Sequence, residues 1–189
     1  HMPPSIAHQD VIGFIESLLR FYVNQLNLGR VLDAPVEIKL WPGGPSREPD
    51  IVFVSQERLV HLGPQRFDGA PDVVVEAVSP GSVTLDRVTK FREYEQAGVR
   101  EYWIIDPRPH QQQADFYRRD DTGQFAAAPL TDDGVYISTV VPGFRLPVAS
   151  LWQTPPPNPL RVLAAMLVDA PGLSDELRAV YREMLRLLP

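Results

Sequence analysis

Near the start of the chain, hydrophobic residues recur at helical spacing. Val11, Ile12, Ile15, Leu18, Leu19, Tyr22 and Leu26 fall on one face, which predicts a core-facing helix over residues 8–28 with Gly29 as its stop. The period then changes to two. Val36, Ile38 and Leu40 alternate with Glu37 and Lys39 across residues 31–41, the pattern of one or two half-buried strands. Pro42-Gly43-Gly44-Pro45-Ser46 turns the chain, and Arg47-Glu48-Pro49-Asp50 leads into an apolar strand over residues 51–54 that should pair antiparallel with the one before it. Residues 56–69 read as a connection carrying solvated charge.

Residues 71–106 form the centre of the chain. The run Val73 to Val78 is short, β-branched and almost wholly apolar, as in a strand buried on both faces. After Ser79-Pro80-Gly81-Ser82 a helix should begin near Val83 or Thr84 and end at Gly98. Leu85, Val88 and Phe91 mark its sheet-packing side, while Asp86, Lys90 and Tyr94 follow another stripe at i, i+4, i+8. Glu101-Tyr102-Trp103-Ile104-Ile105-Asp106 is the next strand, and a strand-helix-strand unit of this length favours a parallel pair. Residues 114–118 and 135–139 read as two more strands, extending one sheet edge in a meander. The expected fold class is therefore α/β, a mixed β-sheet flanked by helices.

The tail differs. Residues 153–159 hold four prolines and must be extended, which separates a core over residues 1–152 from a helical tail over 160–189. Leu177, Val180, Tyr181, Met184, Leu185 and Leu188 stripe its last helix. That stripe either packs on its own domain or serves a homodimer or a partner groove.

Composition narrows the class. With 44% hydrophobic and 22% charged residues, 189 residues suffice for one soluble domain. No apolar run approaches the ~20 residues of a membrane span, and no signal peptide is visible. The absence of cysteine rules out disulfides and thiolate metal sites and points to the cytoplasm. A net charge of −6 argues against a protein that coats nucleic acid non-specifically, but a local cluster can oppose the global balance. His1 followed by Met2 looks like a vector remnant.

The candidate chemistry lies on the strands. Glu76 is the one charge in its apolar run, and burying it unpaired would cost several kcal/mol. It either reaches solvent or a salt bridge at the strand end, or it belongs to a site. Asp50 stands where another strand begins, and Lys90 lies on the adjoining helix. Two strand-borne carboxylates and a lysine supply what metal-assisted phosphodiester hydrolysis needs: oxygen ligands for Mg²⁺ and a cation for the attacked phosphate. An Asp86–Lys90 ion pair is the simpler account of that lysine. Glu37 is either a solvated residue or a neighbour of Asp50 across the strand pair. Glu48 joins Asp50 only if the strand begins before Pro49. Arg47 and Arg87 are among the candidate phosphate contacts, and His8 is either a helix-start contact or part of the site.

Pro49-Asp50, the run VVVEAVSP from Val73, Asp86 and Lys90 four apart, Tyr94, Gly98-Val99 and EYWIID together resemble the Uma-type restriction endonuclease family of the PD-(D/E)XK nuclease superfamily. The resemblance spans roughly residues 5–117. It implies a restriction-endonuclease-like fold, a DNA substrate and Mg²⁺, with Mn²⁺ as a substitute. It makes Asp50 and Glu76 the metal-binding acids, the Ala77 carbonyl a further ligand and Lys90 the catalytic lysine. Glu37, Glu48, Asp86 and Tyr94 then become candidates to support that set. Two departures stand out. The superfamily lysine two residues after the glutamate is replaced here by Val78, so the role passes to Lys90 on the helix. The family also often opens with an acidic segment that this chain does not show, so it is either naturally short or trimmed. A catalytically inactive nuclease-fold module for association is the competing reading.

Overall fold

The computed structural model describes residues 5–188; His1, read as a vector remnant, lies outside them. The chain begins with α1 (Ile6–Gln25), whose first turn is capped by Ser5 Oγ accepting from the His8 amide at 3.2 Å. Gly29 is not its stop. The helix ends at Leu26 and reverses through Asn27, while Gly29 opens β1 (Gly29–Asp33). A Cβ at Gly29 would stand 2.1 Å from the Val54 carbonyl oxygen, which accounts for the glycine.

The expected alternating stretch divides between two sheets. β1 pairs antiparallel with β4 (Ile51–Ser55), whereas β2 (Glu37–Lys39) joins β3 (Ser46–Arg47) and β5 (Arg66–Asp68) in a separate three-stranded sheet. The central unit forms as expected. β6 (Val73–Ala77) pairs antiparallel with β4 and parallel with β7 (Glu101–Asp106), and β8 (Gln113–Arg119) and β9 (Phe125–Ala127) complete the order β1-β4-β6-β7-β8-β9.

The strand expected at residues 135–139 does not extend that sheet. β10 (Val135–Ile137) and β11 (Arg145–Pro147) make their own hairpin, folded over the sheet face so that Tyr136 stacks on Phe116 at 3.8 Å between ring centres. The edge position belongs to β9 instead. Stacking on Phe116 and edge-on contact with Trp103 leave Tyr136 fully buried, and such aromatic pairs contribute about 0.5–1.5 kcal/mol beyond area.

Strand alternation separates two cores. Ile51, Phe53, Val73, Val75, Trp103 and Ile105 face α1 and α3 (Pro159–Val168). Val52, Val54, Val74, Val78, Tyr102 and Ile104 face the small sheet and α2 (Phe91–Ala97). Leu163, Met166 and Leu167 place α3 in the first core. The last helix, α4 (Asp175–Leu187), is capped by Ser174 and contains no fully buried residue. No helix among the described residues is long and apolar enough to cross a membrane.

Between Thr84 and α2 the backbone forms one π-helical turn, Leu85–Lys90, and here the expected helix face is inverted. Asp86 and Tyr94 are buried and Lys90 nearly so, while Leu85 and Val88 are 41% and 43% exposed. Only Phe91 packs as expected, against Tyr117 and Phe125. The cause is Glu76. It shares a strand face with Val74 and Val78, so the helix turns toward the sheet the groups that can satisfy a buried carboxylate.

Candidate active site

Asp50, Glu76, Ala77, Asp86, Lys90, Tyr94 and His8 come together at the C-terminal end of β6. Each arrives from a different constraint. Asp50 precedes β4, and its Oδ2 accepts the Ala77 amide at 2.7 Å. The Val78 amide donates across to the Ile105 carbonyl at 2.7 Å. A trans peptide directs its C=O opposite to its N–H, so the Ala77 carbonyl points to the other side, into the gap beyond the start of β4 where Asp50 lies. His8, in the first turn of α1, places Nε2 3.3 Å from Asp50 Oδ1.

Glu76 is 3% exposed and both of its oxygens are engaged. Tyr94 Oη donates to Oε1 at 2.8 Å, and Lys90 Nζ lies 2.8 Å from Oε2. The same ammonium lies 2.9 Å from Asp86 Oδ1. Lys90 thus makes the expected ion pair with Asp86 and also points at Glu76.

Negative charge exceeds positive in this cluster. Burial pushes the Glu76 carboxyl up to about 7, with Lys90 opposing the rise and Asp50 and Asp86 adding to it. Burial would lower the Lys90 ammonium, but the charges of Glu76 and Asp86 outweigh it and hold it above its usual range. Burial followed by the Glu76 charge raises the Tyr94 hydroxyl well above the ordinary value, so it stays a donor. The hydrogen bond to Asp50, opposed by burial, raises the His8 imidazole.

Other candidates are directed elsewhere. Glu37 lies in the small sheet and accepts from Ser46 Oγ at 2.6 Å, turned to that hairpin and not to Asp50. Glu48 is exposed in the link between β3 and β4, because β4 begins after Pro49 and not before it. Arg47 is not free for phosphate: its guanidinium grips Glu93 with two bonds of 2.7 and 2.6 Å. Arg87 is likewise held by Asp115 at 2.7 Å. Tyr102 was not a candidate, yet its hydroxyl donates to the Asp86 carbonyl at 2.9 Å. A hydroxyl-bearing ring inside an apolar strand is the signal that could have marked it. Among the described residues no three His, Asp or Glu side chains are grouped closely enough to hold a metal ion alone.

This arrangement can be set beside known proteins. Residues 1–149 match the Uma2 family, described as "Putative restriction endonuclease", and the chain belongs to that family. A solved structure with the same fold is described as a "putative nuclease belonging to DUF820" from Anabaena variabilis ATCC 29413; it shares 19% identity with a TM-score of 0.63, over 80% of this chain and 83% of that one. No match was found among curated proteins. Fold and family together make this a nuclease-like protein.

Proposed function

We propose that the protein is a Mg²⁺-dependent DNA endonuclease that hydrolyses phosphodiester bonds at the C-terminal end of β6, with Mn²⁺ able to substitute. The observation that supports this reading is that Asp50 accepts the Ala77 amide at the end of β6 while Glu76, the residue before it, lies against a buried ammonium. Two carboxylates and a carbonyl form a hard-oxygen set that suits Mg²⁺, an ion that keeps several waters and needs few protein ligands. When bound, the cation supplies Lewis-acid charge and an activated water.

The chain's own residues do the rest. Tyr94 fixes Glu76 through Oε1 and leaves Oε2 as the oxygen that faces a cation. The Ala77 amide and His8 fix Asp50 from two sides. Lys90 supplies a positive charge for the phosphate under attack, in a site where burial strengthens every electrostatic contact. In this reading the enzyme works in the cytoplasm, where a cysteine-free chain needs no oxidising compartment, and a homodimer would present two such sites to the two strands of a duplex.

The test is calorimetric titration of Mg²⁺ and Mn²⁺ into the wild type, Asp50→Ala and Glu76→Ala, followed by nicking of supercoiled plasmid DNA. The expected result is binding in the wild type that vanishes in both variants, and nicking that requires metal. A wild type that takes up no metal even with DNA present would replace the hydrolase with a nuclease-shaped association module.

A further inference from the structure

The proposed cation and Lys90 compete for one oxygen. Glu76 Oε1 is taken by Tyr94, and Oε2 lies 2.8 Å from the Lys90 ammonium. A cation that binds Glu76 at Oε2 would sit against the Lys90 ammonium, and the repulsion between the two positive charges would push Lys90 away. If the ammonium then left for solvent, the charge the phosphate needs would leave with it.

Asp86 is built to prevent that. It is 1% exposed, and among the described residues neither carboxylate oxygen has a hydrogen-bond donor aligned to it, so its partner there is the ionic contact with Lys90 at 2.9 Å. Its backbone is pinned on both sides, the amide donating to the Ser82 carbonyl at 2.8 Å and the carbonyl accepting from Tyr102 at 2.9 Å. A fixed, buried carboxylate whose one partner is an ammonium holds that ammonium strongly, because parting them would leave an unpaired buried charge. An exposed i, i+4 pair on an ordinary helix has no such hold.

We infer that Asp86 is the positioning residue for Lys90: it retains the ammonium when Glu76 turns to a cation, so that Lys90 is handed over rather than expelled. This rests on the reading of the site as a metal-dependent nuclease and adds how the lysine and the cation share it.

Two measurements test the hand-over. The first is Mn²⁺ affinity by calorimetry in the wild type, Asp86→Asn, Lys90→Gln and the double variant. Without Asp86 the ammonium has Glu76 alone and competes harder for it, so Asp86→Asn should weaken binding about 10-fold when Lys90 is present and less than about 3-fold when it is Gln. Equal losses in both backgrounds, or no loss in either, would overturn the inference.

The second measurement needs no metal. Lys39 and Lys90 are the only lysines in the chain, so amine acylation read by peptide mass spectrometry reports Lys90 against one internal reference. In Glu76→Gln, Lys90 should remain acylated at least about 10-fold more slowly than in the urea-unfolded chain, and should lose that protection in Glu76→Gln/Asp86→Asn. Rapid acylation in Glu76→Gln alone, with Lys39 unchanged, would overturn the inference. Protection without any Mn²⁺ uptake by the wild type would instead sink the nuclease reading while leaving Asp86 as the holder of Lys90.

Discussion

β6 and β7 carry buried acids at both ends, and the two ends are built differently. At the N-terminal end Glu101 accepts from Trp103 Nε1, Ser138 Oγ, the Thr139 amide and hydroxyl, and the Val140 amide, at 2.7–3.2 Å. Asp72 beside it accepts from the Ser55 amide and faces Arg100 and Arg58. At the C-terminal end Glu76 is as buried, yet among the described residues it has one hydroxyl donor and a share of one ammonium, and Asp86 has only the rest of that share. Burial alone therefore does not mark a functional acid. What separates Glu101 from Glu76 is whether the fold has already supplied the donors, and Asp106 at the C-terminal end of β7 belongs with Glu101, since Arg108 donates to it three times. In open α/β sheets ligands bind beyond the carboxyl ends of strands, and there Glu76 and Asp86 are the acids left short of positive charge.

The largest effect should come from the saturated end. Glu101→Ala would strand five donor groups around one cavity and is expected to destabilise the protein by about 3–5 kcal/mol in urea unfolding. A loss below about 1 kcal/mol would erase the distinction.

At the other end the test is pH. The folded-state Glu76 carboxyl is raised from 4.5 to about 7, so the native state holds its proton more tightly than the unfolded chain does. Its contribution is fully present below about pH 4.5 and is lost as pH rises through about 7, a swing of at most about 3 kcal/mol in metal-free protein. The measurement is the difference in unfolding free energy between wild type and Glu76→Gln from pH 4 to 8 in EDTA. A difference that stays flat across that window would show Glu76 to be as well satisfied as Glu101.

The smallest effect concerns the inverted helix face. Leu85→Ala should change stability by no more than about 0.5 kcal/mol, whereas a sheet-packing leucine at that position would cost about 2–5 kcal/mol. Thermal unfolding of this one variant separates the two.

That inversion shows where the sequence was legible and where it was not. Strong periodicity identified α1, β6, β7 and the crossover between them, and the placement of Asp50 and Glu76 on strands with Lys90 on the adjoining helix marked these three as candidates. The helix face was misread because hydropathy assumes that a sheet attracts apolar side chains, and the buried carboxylate on β6 reverses that rule locally. The small sheet and the β10–β11 hairpin were misplaced because three-residue strands take their partners from tertiary packing rather than from intrinsic preference. The pairing of Arg47 with Glu93, 46 residues away, leaves no trace in either local pattern.

Ala77 leaves a different kind of gap. What it offers the site is main chain, set by the sheet register that sends the Val78 amide to Ile105 and the Ala77 carbonyl the other way. An alanine scan would pass over position 77 without recording anything, since the residue is alanine already. Side-chain replacement cannot delete that oxygen; only a slip of β6 against its neighbours, which would turn every strand residue to the opposite face, could withdraw it. A catalogue of sensitive positions in this protein would thus be blind to one of its candidate ligands, and an amide-to-ester change in the backbone following residue 77 is the kind of alteration that would bring it into view.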